Sequence, residues 1–180
     1  MSCPDALAHC REGRAGHLGH ISDAYAEIAG QAREATMAAL CPYLGEFVLT
    51  GWIDGTFDKL WESPEFPWEA IRKIYIDPDR FELALWCDGR LVALGICQTT
   101  DDALVVRVIE GPRDETCPFA GQRAFILTDA AARYAQLRGK REVLLQPANP
   151  DLINLYVQGC GFSPPNPGTG SQYYWKKVKP

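Results

Sequence analysis

The sequence predicts a single α+β domain whose central sheet is mixed, mostly antiparallel and flanked by helices. The chain has 180 residues, which is close to the size of one domain. Hydrophobic residues make up 47% and charged residues 23%, as in an ordinary globular protein. Apolar residues follow a helical period in some segments and alternate as in strands in others. No composition break or internal repeat marks a second domain, so one domain is expected over residues 1–180.

The N-terminal part predicts a long helix followed by a strand. Residues 1–17 lack periodicity and are expected to form an irregular lead-in. From Leu18 onward, apolar residues recur every three or four positions and give one face of a helix of about six turns. These residues are Leu18, Ile21, Tyr25, Ile28, Ala32, Ala35 and Ala39. Ser22 or Asp23 could cap its start, and Cys41-Pro42 is expected to end it. A strand is expected over 46–53.

Residues 56–80 give no single pattern, because two prolines interrupt the segment and leave room for a short helix on each side. Residues 71–76 fit either the end of a helix or a strand. Between positions 52 and 86 the sequence holds eight aromatic residues. They are Trp52, Phe57, Trp61, Phe66, Trp68, Tyr75, Phe81 and Trp86. Large aromatic side chains dominate core burial, so most of them are expected in the core.

The C-terminal part predicts a meander of three strands and then alternating helices and strands. Asp88-Gly89 is a strong hairpin signal between strands expected over 81–87 and 91–98, and a third strand follows at 104–109. A helix face runs from Ala124 to Ala135, and Gly139 ends the helix. The apolar strand at 143–145 is expected beside 104–109 and parallel to it, because the helix between them supplies the crossover. The remaining expected elements are a helix over 150–158, a loop over 163–170 and a strand over 173–178.

Charge and cysteine content exclude several classes of protein. Lys and Arg number 18 against 23 Asp and Glu, a formal net charge of −5, which argues against general nucleic-acid binding. No apolar run reaches the roughly 18 residues that span a membrane, and the N-terminus has no signal-peptide pattern. The seven cysteines are odd in number and spread along the chain. They are expected to be reduced thiols, which predicts a cytoplasmic location.

All three histidines lie near the N-terminus together with two cysteines, and this cluster has the residue types that bind zinc. Its members are Cys3, His9, Cys10, His17 and His20. The cluster contains no C-x-x-C pair, which is the usual signal of a zinc site. We therefore expect no bound metal.

A series of spaced residues between Ala124 and Phe162 carries a family signature. A helix with the spacing A-x-x-x-A-x-x-x-G precedes a strand, an asparagine, a short helix with a tyrosine, and a Gly-Phe pair. The matching residues are Ala131, Ala135, Gly139, Asn149, Tyr156 and Gly161-Phe162. This pattern resembles the GCN5-related N-acetyltransferase (GNAT) superfamily, and with the meander the resemblance covers 81–178. It implies the GNAT-like acyl-CoA N-acyltransferase fold, in which two central strands splay apart.

The resemblance implies acetyl-CoA as a cosubstrate. The pantetheine arm would fill the gap between the splayed strands, and the pyrophosphate would bind backbone amides where the next helix starts. The implied binding residues are Val108, Ile109, Glu110, Gly121, Gln122, Arg123, Ala124, Asn149 and Tyr156. Of the family's phosphate-loop pattern R/Q-x-x-G-x-G/A, placed over 119–124, only Ala124 is matched. The alternative is that this loop merely joins a strand to a helix.

The resemblance also implies two catalytic residues. A tyrosine at the position of Tyr156 donates a proton to the departing CoA thiolate, the role of a general acid. The spacing from Tyr156 to Gly161 is one residue longer than usual, so counting back from Gly161 selects Val157 instead. A second alternative is that Tyr156 only packs between helix and sheet. Glu110 is the candidate base for the attacking amine, and its alternative is a solvated residue at a strand end.

The function implied is the transfer of an acetyl group from acetyl-CoA to a primary amine by direct attack. The acceptor is a small molecule or a protein, and the aromatic region would lie near its entrance, with 61–68 as a lid. The alternative is a non-catalytic GNAT-like module that binds another protein through the aromatic 52–86 region. The sequence leaves the acceptor and the oligomeric state open, a homodimer included.

Overall fold

The computed structural model describes the backbone of residues 6–179 and the side chains of residues 22–179. Six strands form one sheet in chain order, and helices pack on its two faces. The strands are β1 Val48–Thr50, β2 Phe81–Cys87, β3 Arg90–Thr99, β4 Ala103–Glu110, β5 Glu142–Leu145 and β6 Tyr174–Lys177. The helices are α1 Ala6–Leu44, α2 Trp68–Ile74 and α3 Arg123–Leu137. The predicted α+β class is confirmed.

The sheet is antiparallel except at one position. Strands β4 and β5 are adjacent and parallel, with Leu104 opposite Val143 and Val106 opposite Leu145, and α3 forms the crossover between them. This pair confirms the prediction made from the apolar run at 143–145. Asp88 and Gly89 both have positive φ, 50° and 74°, as a tight hairpin turn between right-handed twisted strands requires.

One face of the sheet, here the first face, is covered by α1 and α3. Leu83, Leu104 and Val143 of the sheet are fully buried against Leu127 and other residues of α3. Each such side chain contributes about 1.5–3 kcal/mol of burial free energy. Tyr134 stacks on Phe81 with ring centroids 4.3 Å apart. This core fixes the position of α3, whose start forms part of the site described below.

The other face, here the second face, is covered over β2–β4 by an aromatic cluster that includes α2. Trp68 is 1% exposed and meets Trp52 edge to face at 5.8 Å. Of the eight aromatic residues between positions 52 and 86, Phe81 packs on the first face and the others pack in this cluster. Only Trp68 and Phe81 are buried, and the other six are partly buried against the cores, so they form the margin of the core rather than its centre.

Helix α1 differs from the prediction at both ends. The irregular lead-in expected over 1–17 is wrong from Ala6 onward, because the backbone is helical from that residue. Alanine, leucine, glutamate and arginine there are strong helix formers even without an apolar period. The helix also continues past Pro42 to Leu44. There Gly45, with φ 98°, donates its N–H to the Cys41 carbonyl at 3.0 Å, the bond of a left-handed helix end.

Other elements are shorter or more resolved than expected. Strand β1 spans Val48–Thr50 rather than 46–53, and residues 71–74 end helix α2 rather than forming a strand. The single helix expected over 150–158 is a 3₁₀ turn, Pro150–Leu152, followed by a π-helical turn, Leu155–Gly159. The loop at 163–170 contains a short 3₁₀ turn, Pro167–Thr169.

The metal and cysteine predictions are only partly covered by the described residues. The His/Cys cluster between positions 3 and 20 lies outside the residues whose side chains are described. Among the side chains from residue 22 onward, no group of three His, Cys, Asp or Glu is arranged to hold a metal. The five cysteines in that range, Cys41, Cys87, Cys97, Cys117 and Cys160, are free thiols. No helix in the described part of the chain is long and apolar enough to cross a membrane.

Candidate active site

Strands β4 and β5 separate after a short parallel pairing. The last pair is Val106 with Leu145, after which β5 ends while β4 continues to Glu110. A bulge at Arg107 marks the point of separation, since Val106 pairs with Cys97 and Val108 with Ile96. A bulge bends its strand and increases the local twist. The β5-facing edge of β4 over 107–110 therefore has no strand partner within the described residues.

A cleft of about 360 Å³ opens where β4 ends and α3 begins. Its walls are the end of β4, the turn before α3 (119–124) and the π-helical turn. The predicted site residues that line it are Ile109, Glu110, Gly121, Arg123, Ala124 and Tyr156. The structure therefore brings together the strand end, the turn and the tyrosine that the sequence singled out separately.

The turn before α3 presents free backbone donors. Phe119 and Gly121 adopt positive φ, 61° and 80°, which turns the chain sharply into the helix. The helix cap Gln122 makes no side-chain hydrogen bond to the first turn, and that turn holds no acidic residue. Within the described backbone, the N–H groups of Gly121, Ala124 and Phe125 donate to no backbone carbonyl. A helix start with free amides and no carboxylate in its first turn favours an anion, although the carboxylates of Glu110 and Glu115 also line the cleft.

Arg123 ties this turn to the end of β4. Its Nη1 donates to the Pro112 carbonyl at 2.7 Å, and burial lowers the pKa of its guanidinium. The side chain crosses Gly111 so closely that an added Cβ there would overlap the guanidinium and lie 2.7 Å from the Val92 carbonyl oxygen. Gly111 is therefore needed for this crossing. Arg123 adds positive charge to the cleft while fixing its shape.

Glu110 holds the 61–68 segment on the sheet. Its carboxylate accepts hydrogen bonds from the Glu65 N–H at 2.5 Å and the Phe66 N–H at 3.3 Å. The indole N–H of Trp68 donates to it at 2.6 Å. Burial raises the pKa of this carboxyl, and the bonds from Trp68 and Phe66 oppose that rise. The segment expected to be a lid is thus attached to the strand end that borders the cleft.

Tyr156 points into the cleft from the π-helical turn. The Cys160 N–H donates to the Leu155 carbonyl and the Phe162 N–H to the Tyr156 carbonyl, both at 3.0 Å. This wide turn accommodates the extra residue in the motif spacing, and π-turns of this kind are frequent at functional sites. Tyr156 is 8% exposed and lines the cleft, whereas Val157 does not. Burial, followed by the nearby Cys160, raises the pKa of Tyr156 to about 12.

Three predicted binding residues lie outside this cleft. Val108 packs against the aromatic cluster of the second face. Gln122 is the cap of α3 but does not line the cleft. The side chain of Asn149 accepts a hydrogen bond from the Asp151 N–H at 3.0 Å and caps the 3₁₀ turn. Asn149 borders a separate depression of about 230 Å³ beside Tyr174.

Three further residues, Gly111, Leu152 and Leu155, line the cleft and are not among the predicted site residues. The apolar spacing of Leu152 and Leu155 beside Tyr156 was the available signal for a helix face directed inward. Gly111 carries no such signal, because its role comes from a side chain that reaches it from a different element.

Solved structures with the same fold are numerous, although their sequences differ widely from this one. The ribosomal-protein-S18-alanine N-acetyltransferase from Escherichia coli matches with a TM-score of 0.55 at 17% identity, over 74% of this chain and 94% of that chain. Ard1 from Thermoplasma volcanium matches with a TM-score of 0.57 at 12% identity, over 74% and 99%. The aminoglycoside 6'-N-acetyltransferase from Enterococcus faecium matches with a TM-score of 0.50 at 14% identity, over 74% and 98%. No protein-family model matches the sequence, and no curated protein matches it in sequence.

The fold is that of the acyl-CoA N-acyltransferases. Within that class it is the GNAT fold, as the motif spacing predicted, in a divergent sequence.

Proposed function

We propose that the protein is an N-acyltransferase that moves an acetyl group from acetyl-CoA to a primary amine by direct attack. One observation carries this proposal. The unpaired edge of β4, the free amides at the start of α3 and the largely buried side chain of Tyr156 border one cleft. These are a strand-like surface, an anion site and a proton donor, the three parts that an acyl-CoA reaction needs.

Each part of the cosubstrate has a matching surface. The edge of β4 over 107–110 offers backbone groups to the amides of the pantetheine arm, which would extend the sheet in place of β5. The amides of Gly121, Ala124 and Phe125 suit the pyrophosphate, with Arg123 adding charge. Arg113 also lines the cleft but forms an ion pair with Glu65. A cleft of about 360 Å³ lies within the usual range of about 300–1,000 Å³ for ligand pockets. Gln122 and Asn149 stay in the proposed binding region as neighbours of these surfaces.

The proposed chemistry is the attack of the neutral acceptor nitrogen on the thioester carbon. The new bond is C–N and the bond that breaks is C–S, so the CoA sulfur leaves as a thiolate. Backbone N–H groups of the β4 edge would polarise the carbonyl, an effect worth about 3 kcal/mol per donor elsewhere. Tyr156 donates to the thiolate, and Glu110 accepts the proton of the amine directly or through water.

The alternative of a non-catalytic binding module has less support. It relied on the aromatic residues between positions 52 and 86 forming a recognition surface. Those side chains pack in the two cores, and none is exposed. The free thiols at the five described cysteines support the expected reducing compartment, such as the cytoplasm.

An acetyl-transfer assay tests this function. The full chain is mixed with acetyl-CoA and a panel of primary amines, and released CoA thiol and acetylated amine are both quantified. We expect stoichiometric release of thiol and acetylated product with at least one amine, and strongly reduced release with Tyr156→Phe. Binding of acetyl-CoA without transfer to any amine would favour the non-catalytic module instead.

A further inference from the structure

We infer that the acceptor is an amine that also carries a carboxylate, an α-amino acid in its simplest form, and that Arg107 binds this carboxylate. The inference rests on the proposed function, because it names the substrate class of the same site. Three features support it: the position of Arg107 at the gap between β4 and β5, the contacts that hold its guanidinium, and the groove beside it.

Arg107 lies at the point where β4 and β5 separate. It is the bulged residue of β4 and directly follows Val106, the last residue paired with β5. Its side chain reaches Gln98 and Tyr173. The residues next to these two in the chain, Cys97 and Tyr174, pack on the first face. Because successive side chains alternate between faces, Gln98, Tyr173 and the side chain of Arg107 lie on the second face. Tyr173 immediately precedes the residue paired with Leu145. The guanidinium therefore spans the narrow end of the gap on the second face.

The guanidinium is oriented but not neutralised. Its Nε and Nη2 donate to Oε1 of Gln98 at 3.0 and 2.8 Å, and its Nη1 donates to the hydroxyl of Tyr173 at 3.2 Å. These acceptors are uncharged, and within the described side chains Arg107 forms no ion pair. Gln98 is itself held by the Asp77 carboxylate at 3.0 Å. A fixed, exposed and unpaired guanidinium is well suited to bind a carboxylate through two parallel bonds.

The acceptor has to approach from this face. The candidate cofactor cleft is bounded by the start of α3 and the π-helical turn, and α3 packs on the first face. Attack on a thioester held in the gap therefore comes from the second face, where Arg107 lies. Arg107 directly precedes Val108 in β4. A carboxylate bound by its side chain would therefore lie on the second face, at the end of the gap from which the 108–110 edge continues.

A groove of about 320 Å³ beside Arg107 indicates the rest of the acceptor. Its floor is formed by Leu144, Tyr173 and Trp175, of which Tyr173 is the partner of Arg107 and Trp175 is 36% exposed. Its rim is polar and is formed by Asn166, Thr169 and Ser171. The one carboxylate that lines it belongs to Glu142, which lies opposite Lys177 in the sheet. Glu142 is three residues from Leu145 along β5 and is therefore about 10 Å from the gap. An apolar or aromatic side chain fits this floor. The acceptor class is therefore an α-amino acid with such a side chain.

Calorimetry on the full chain saturated with CoA tests the inference with two probes that differ only in the carboxylate, L-phenylalanine and 2-phenylethylamine. We expect L-phenylalanine to bind roughly 10- to 100-fold more tightly, the range for a charge-assisted pair. Arg107→Gln should abolish this difference and leave the affinity for 2-phenylethylamine unchanged. Arg141→Gln, an exposed arginine 83% accessible at its side chain, is the control and should preserve the difference. Tyr173→Phe removes one hydrogen bond to the guanidinium and should reduce the affinity difference partly. This variant tests the inference if Arg107→Gln does not fold.

Equal affinity for the two probes, no detectable binding of either, or an undiminished difference in Arg107→Gln would overturn the inference. Failure of the proposed function would give a different set of results. Acetyl-CoA would then not raise the melting temperature, and no amine would be acetylated. The carboxylate preference, measured in a parallel titration without CoA, would still respond to Arg107→Gln.

Discussion

At the residue scale, the hydroxyl of Tyr156 combines burial with access to the candidate cofactor cleft. Its pKa of about 12 means that it is protonated throughout the physiological range. A thiolate is a much weaker base, with an ordinary pKa near 8.5 for cysteine, so complete proton transfer from Tyr156 is unfavourable. Its contribution should come mainly from a hydrogen bond to the departing sulfur.

Replacing Tyr156 by phenylalanine should therefore slow turnover toward the lower end of the 10²–10⁴ range for losing a general acid, about 10²-fold. The affinity for acetyl-CoA should remain, because the ring still packs against Phe162. Steady-state kinetics and calorimetry measure the two quantities separately. Normal turnover in this variant, together with loss of activity on changing Cys160 or Glu110, would show that Tyr156 is not the hydrogen-bond donor to the departing sulfur.

Alkaline pH gives a second test of Tyr156. Its folded-state pKa is raised above the ordinary value of 10, so the unfolded chain loses this proton first as the pH rises. Stability is fully present below pH 10 and falls between about pH 10 and 12, by about 2–3 kcal/mol for this group. Burial also raises the pKa of Tyr134. The wild type therefore loses stability at alkaline pH through both tyrosines. Urea unfolding at pH 8 and pH 11.5 should show a smaller loss in Tyr156→Phe than in the wild type, and equal losses would contradict the raised pKa.

Glu110 has two proposed roles that one substitution can separate. Glu110→Gln keeps the size of the side chain but places an amide NH₂ group among three N–H donors from Glu65, Phe66 and Trp68. We expect a lower melting temperature, because a donor now faces donors, together with a lower kcat. Trp68→Phe, which removes one of those donors, is the matched control for loss of the attachment alone. If Glu110→Gln and Trp68→Phe lower the melting temperature while kcat is retained in both, Glu110 holds the 61–68 segment and is not the base.

At the scale of elements, the turn before α3 depends on one glycine. Gly121 has φ 80°, a conformation that β-branched residues strongly avoid. Gly121→Val should therefore distort the free amides and weaken acetyl-CoA binding at least tenfold, as measured by calorimetry.

Gly170 supplies the matched control for this change. Its φ is 67°, also in the left-handed region. A Cβ added at Gly170 would have no atom within 4 Å, and the same holds for Gly121. Gly170 does not line the cofactor cleft. Gly170→Val should impose similar backbone strain and leave acetyl-CoA affinity unchanged. Equal weakening in both variants would mean that general strain, and not the turn, governs binding.

The elements also show what the sequence could predict. The hairpin at Asp88-Gly89 and the parallel pair of β4 and β5 followed from turn chemistry and from the apolar run at 143–145. The choice between Tyr156 and Val157 could not be made, because the motif counted from its two ends differs by one residue. A π-helical turn absorbs that residue, and no local propensity announces such a turn. The attachment of 61–68 to Glu110 joins groups more than 40 residues apart, which spacing along the chain does not reveal.

At the scale of the whole molecule, two cores hold the candidate site rigidly from opposite faces. On the first face α1 is joined to α3 by the Thr36 hydroxyl, which contacts the Asp129 carboxylate at 3.2 Å. On the second face the aromatic cluster positions the 61–68 segment. The gap between β4 and β5 is thus bordered by packed elements on both sides. A site of this kind is largely preformed and can bind its ligand without a large ordering cost.

Binding of acetyl-CoA in this cleft can be measured by a thermal melt of the full chain with and without acetyl-CoA. At a concentration 100-fold above the dissociation constant, binding should add about 2.7 kcal/mol to the free energy of unfolding. For a domain of this size the melting temperature should rise by about 5–10 °C. The rise should be much smaller in Gly121→Val and intact in Gly170→Val. An unchanged melting temperature, with no heat of binding at the same concentration, would contradict the account.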